Sequence, residues 1–230
     1  MQPGIGHQPA LRRHEQLFAC EAGKDASADH MAKINRIDII RRNLRGRSII
    51  FIGMMGSGKS AIGRLVAARL GMRFFDSDFE IATAADMSIP EIFEQFGEAY
   101  FRRGEQRVIE RLLKEGPSVI SLGGGAFLDP KTRALAKERA VSIWLGADID
   151  LLMHRVMRRP ASRPLLQTAD PRATLAELLE LRRPFYQEAD LLVESSRHSK
   201  KQTCDNVIRE LSEYLYTAKM PARHPGDGNA

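Results

Sequence analysis

The chain has 230 residues, 43% of them hydrophobic, which suits one domain with a sizeable buried core. A formal charge of +6 favours anionic partners, but 7% aromatics scattered singly lacks the interleaved aromatic and basic stripes of a nucleic-acid surface. Two cysteines, Cys20 and Cys204, exclude a disulfide framework and a zinc site, and the longest apolar stretch, around Ile49 to Met55, is too short to span a bilayer. The first residues also lack the apolar core of a secretory signal, so the expectation is a cytoplasmic protein without a membrane partner.

In chain order, residues 1–45 mix Gly, Pro, His and charge, as in "GKDASADH", and read as a disordered extension; Met31 offers an alternative start. Residues 46–217 read as a single domain. "SIIFIG" is a buried strand entering a glycine turn, and in "SAIGRLVAARL" Ile62, Leu65, Val66 and Leu70 fall at helical spacing. "MRFFD" is the next strand, followed by helical segments near Ile89 to Phe96 and Gly104 to Lys114. "SVISLGG", "VSIWLG" and "ADLLVE" supply three further strands, and a helix from Lys201 to about Tyr216 closes the domain. Strand alternating with helix implies a parallel sheet covered on both faces. Residues 218–230, rich in turn formers, read as a flexible tail.

"GMMGSGKS", Gly53 to Ser60, matches G-x-x-x-x-G-K-[ST] and lies between a strand and a helix, where that pattern has its use. Glycines let successive backbone N–H groups turn inward on phosphate oxygens, and the helix N-terminus adds a favourable dipole. Lys59 is expected to bridge the β- and γ-phosphates, and Ser60 to ligate Mg²⁺. This makes the protein a user of nucleoside triphosphates without naming the acceptor.

Loops at the carboxyl ends of parallel strands gather at one edge, so "DSD" after "RFF" brings Asp76 and Asp78 beside that cradle. One carboxylate can hold Mg²⁺ through water and the other can take the proton of an acceptor hydroxyl, although Asp is also a common helix cap. Arg102 in "GEAYFRRGE", the run Gly123, Gly124 and Gly125 in "SLGGGAF", and Arg182 in "ELRRPFYQEAD" suit a small carboxylated acceptor. A guanidinium presents a planar fork to a carboxylate, and glycines admit a ligand close to the backbone.

In this order, "GMMGSGKSAIGR", "FFDSD", "GEAYFRRGE", "SLGGGAF", "RPLL" and "RRPFY" resemble the shikimate kinases, over about Ile49 to Val193. The resemblance implies an α/β P-loop three-layer sandwich with a five-stranded parallel sheet, like nucleoside monophosphate kinases. It also implies a substrate-binding lobe at about 78–106 and a lid at about 155–166. The implied reaction is transfer of the ATP γ-phosphate to the 3-hydroxyl of shikimate, with Mg²⁺, by a monomer. Position by position, the cradle backbone Gly56, Ser57, Gly58, Lys59, Ser60 and Ala61 holds ATP, and Ser60 and Asp76 serve the metal. Asp78 contacts the shikimate hydroxyls and acts as base; Arg102 and Arg182 grip its carboxylate; Gly124 and Gly125 line the pocket, with Phe93 and Phe101 as its apolar wall. In the lid, Arg163 reaches the transferring phosphoryl group and Arg159, beside Arg158, lies over the adenine, while His154 is a helix-surface residue. A gluconate kinase is the nearest alternative, and a nucleic-acid-binding P-loop ATPase a more distant one.

Overall fold

The computed structural model describes residues 36–158, 166, 168–195 and 199–217. The five apolar runs form β1 (Ser48–Ile52), β2 (Arg73–Asp76), β3 (Ser118–Ser121), β4 (Ala140–Gly146) and β5 (Leu191–Glu194). They pair in parallel in the order β2-β3-β1-β4-β5, with β1 at the centre. Every residue of β1, β3 and β4 is buried, as a sheet covered on both faces requires. Side chains alternate between two cores. Ile49 and Phe51 face one, with Val66, Val207 and Leu211, whereas Ile50 and Ile52 face the other, with Ile109, Leu112 and Tyr186.

Eight helices are described: α1 over 36–43, α2 (Lys59–Leu70), α3 (Ser77–Ala85), α4 (Ile89–Lys114), α5 (Pro130–Arg139), α6 (Ile149–Val156), α7 (Pro171–Tyr186) and α8 (Lys200–Thr217). Caps fix most of their starts. Asp76, Asp129, Asp148 and Asp170 each accept a backbone N–H of the first turn, and Ser88 forms a reciprocal capping box with Glu91. Gly58 enters α2 at φ 103, a left-handed conformation that a side chain would strain.

Helix α1 corrects the expectation of a disordered extension for residues 36–45 alone, residues 1–35 lying outside the described residues. Ile40 and Leu44 are fully buried against the α2 and α8 side of the sheet, and Arg41 Nε donates to the Leu70 carbonyl at the end of α2 at 3.0 Å. Ile37, Ile40 and Leu44 stand three and four residues apart and form the face that packs into this core, a helical signal the sequence reading passed over; so short a helix owes its stability to that packing. In α4 the chain breaks at Gly97 (φ 77, ψ 171), so the second half starts there and not at Gly104. Of the lid expected at about 155–166, residues 159–165 lie outside the described residues, as does the tail 218–230.

Candidate active site

The carboxyl ends of β1, β2 and β3 deliver three loops to one edge of the sheet. From β1 comes the cradle. Lys59 Nζ donates to the carbonyls of Gly53 (2.9 Å) and Met54 (3.0 Å), which holds the ammonium over the loop. Ser60 Oγ donates to Asp76 Oδ2 at 2.5 Å and lies 3.2 Å from Ser121 Oγ, so three oxygen-bearing side chains from three strand ends meet. That donor set suits a small hard cation. Among the described residues no group of three or more His, Cys, Asp or Glu side chains is placed to hold a metal ion.

Asp76 does two jobs at once. Its Oδ2 takes the Ser60 hydroxyl while its Oδ1 caps α3, accepting from Asp78 N at 3.2 Å and Phe79 N at 3.5 Å. Capping and the contact with the cradle therefore do not compete. Asp78 sits in the first turn of α3, where the helix dipole favours its charge. A cavity of about 420 Å³ brings together Lys59, Ser60, Asp76, Asp78, Ser121 and Gly124.

The glycine run after β3 is where Asp78, Arg182 and Arg102 converge, one glycine to each. A Cβ on Gly123 would stand 2.5 Å from Asp78 Oδ1 and 2.9 Å from Glu105 Oε1. On Gly124 it would stand 3.2 Å from Arg182 Nη1, and on Gly125 2.8 Å from both terminal nitrogens of Arg102. The first and third contacts are closer than real Cβ atoms come, so side chains there would displace the acid and the guanidinium. Arg182, 6% exposed, donates to the Gly124 carbonyl at 3.2 Å, and the buried Tyr186 hydroxyl donates to the same oxygen at 2.6 Å.

Arg102 is clamped from both sides. Its Nε and Nη2 donate to Glu98 Oε1, at 3.2 and 3.0 Å, and its Nη1 donates to Glu105 Oε2 at 2.7 Å. Burial works to lower its pKa, but the two carboxylates more than offset this and hold it up. Glu105 is 3% exposed, and its other oxygen has no hydrogen-bond partner. Burial pushes its carboxyl up, opposed by Arg102 and reinforced by Asp78 and Asp129. Phe93 and Phe101 form a tilted pair 4.7 Å apart on α4, with the Arg102 guanidinium 5.2 Å from the Phe101 ring.

Against the cradle's outer side lies a second cavity, of about 540 Å³, lined by Gly58, Ala61, Ile62, Arg155, Arg158, Ser195, Lys200 and Thr203. Arg155 Nη1 donates to the carbonyls of Gly56 (3.2 Å) and Ser57 (2.9 Å) and to Ser195 Oγ (2.9 Å), tying α6 and the end of β5 to the cradle. Burial lowers its pKa, with Asp148 opposing. Arg159 and Arg163 lie outside the described residues, and His154 is exposed on α6.

Sequence reasoning missed Glu105, Tyr186, Arg155 and Ser121. The first two had a signal, standing one helical turn beyond Arg102 and Arg182. Ser121 had none, because it reaches Asp76 only through the β2–β3 register.

A family model described as shikimate kinase matches residues 55–212. The shikimate kinase of Nitrobacter winogradskyi is 60% identical over 177 residues, covering 77% of this chain and 82% of that protein. That of Bradyrhizobium diazoefficiens is 52% identical over 184 residues, covering 80% and 88%. Among solved structures, the Acinetobacter baumannii shikimate kinase in complex with shikimate aligns with a TM-score of 0.70 at 31% identity, over 79% of this chain and 99% of that one. The shape of the sheet, the run of motifs and these likenesses agree, and the chain belongs to the shikimate kinase family.

Proposed function

We propose that this protein transfers the γ-phosphoryl group of ATP to the 3-hydroxyl of shikimate, giving ADP and shikimate 3-phosphate. The observation that carries the reading is the convergence on one glycine run. Asp78, Arg102 and Arg182 each meet a successive glycine of Gly123 to Gly125, and Gly124 lines the cavity that also holds Lys59.

In this reading the acceptor carboxylate lies between the guanidinium groups of Arg102 and Arg182, which fix the ring by charge-assisted hydrogen bonds. Phe93 and Phe101 cover its carbon face. Asp78 receives the proton of the attacking hydroxyl, and the α3 N-terminus stabilises the carboxylate until it does so. Lys59 sets a positive charge beside the phosphates, and the cavity bordered by Arg155 and Arg158 takes the nucleoside. Ser60 directly and Asp76 through water would hold Mg²⁺, which supplies neutralisation of phosphate charge when bound. Arg163 and Arg159 complete the phosphate and adenine contacts from the segment outside the described residues. Positioning and charge neutralisation supply the catalysis, as phosphoryl transfer demands. The protein is read as a cytoplasmic monomer; among the described residues no helix is long and apolar enough to cross a membrane.

A coupled ADP-release assay offering shikimate, gluconate and nucleoside monophosphates in parallel tests the acceptor. The expected response is to shikimate alone. Equal turnover of gluconate would overturn the reading.

A further inference from the structure

The three residues of "DSD" send their side chains to three different places. Asp76 Oδ2 turns to Ser60 and the cradle, and Asp78 Oδ1 turns to the Gly123 α-carbon. Between them, Ser77 is fully buried, and its Oγ accepts the backbone N–H of Gly123 at 2.9 Å. Successive positions on a helix point about 100° apart, so one short segment can address all three.

Capping does not account for the Ser77 hydroxyl. Asp76 already caps α3, accepting both Asp78 N and Phe79 N. Nor is serine favoured at a buried helix position, where an apolar residue fills space without a polar group to satisfy. What the hydroxyl does is continue the sheet. Backbone pairing between β2 and β3 ends at Asp76 opposite Ser121, and on the other side Leu122 N still donates to the Phe51 carbonyl at 3.0 Å. The next step along the β2 side is made by a side chain, Ser77 to Gly123. It fixes where the glycine run leaves the sheet, and hence which glycine faces Asp78, which Arg182 and which Arg102.

We propose that Ser77 is a positioning residue for the acceptor half of the site, its hydroxyl holding the glycine run in register with Asp78 and the two arginines. The inference rests on the proposed reading of that pocket as the acceptor site and assigns a role within it. The nucleotide half does not depend on this bond. Lys59 is held by Gly53 and Met54, and the loop itself by Arg155.

The test is steady-state kinetics of Ser77→Ala and Ser77→Thr with shikimate and ATP, alongside hydrogen exchange of the Gly123 amide. In Ser77→Ala the shikimate KM should rise about tenfold, the worth of one buried hydrogen bond, while the ATP KM stays within about twofold. Gly123 exchange should quicken by a similar factor, and Ser77→Thr, which keeps the hydroxyl, should restore both. A shikimate KM unchanged in Ser77→Ala, or ATP and shikimate KM values rising together, would overturn the proposal. Should Ser77→Ala fail to fold, Ser77→Cys keeps the volume with a weaker acceptor, and the same split between the two KM values is expected. Wild-type turnover in the same assay reports on the acceptor reading separately, and Gly123 exchange reports on Ser77 whatever the acceptor is.

Discussion

Glu105 is the residue whose environment is most at odds with its charge. It is buried, one oxygen is held by Arg102, and the other has no partner beside Asp78 and Gly123. A carboxyl raised above its ordinary 4.5 by burial binds its proton better folded than unfolded. Its contribution to stability is therefore complete below that value and is lost as pH rises through the raised one. Glu105→Gln cannot titrate. Followed by thermal unfolding from about pH 4 to pH 8, the wild type should lose ground steadily against Glu105→Gln, a span chosen to bracket raised carboxyls. A difference flat with pH would contradict the assignment. The same variant removes the anion that fixes one side of Arg102, so its shikimate KM should rise even where its stability improves.

At the scale of elements, the strands and the cradle were legible in the sequence because their signals are local. "SIIFIG", "SVISLGG" and "VSIWLG" are unbroken apolar runs, and the lysine–serine pair after a glycine loop needs no tertiary knowledge. The residues that escaped act across elements. Ser121 meets Ser60 only because β3 lies beside β1, Arg155 reaches the cradle across 98 residues to Ser57, and α1 packs against α2 and α8. Asp76 shows the limit of choosing one role per residue, since it caps a helix and accepts the Ser60 hydroxyl of the cradle together. For α1, Ile40→Ala removes a fully buried side chain and should cost about 3 kcal/mol, lowering the unfolding midpoint by roughly 6–12 °C. An unchanged midpoint would mean that this helix does not belong to the folded domain.

On the scale of the whole molecule, the sheet order puts the cradle strand β1 between β3 and β4, so the β3 glycine run and the β4–β5 end flank it on opposite sides. The cradle and Lys59, which the proposed function assigns to the phosphates, lie at the centre. Asp78, Arg102 and Arg182 converge on the glycine run to one side, and the cavity beside Arg155 lies on the other. An overall charge of +6 suits a protein whose two substrates are both anions. The proposed function requires two guanidinium groups, those of Arg102 and Arg182, to read a carboxylate beside the phosphoryl-transfer centre. It is tested most directly on the unaltered protein, by titration calorimetry comparing shikimate with its methyl ester. Loss of the charge-assisted hydrogen bonds should weaken binding of the ester by about a hundredfold; equal affinity for acid and ester would contradict the account.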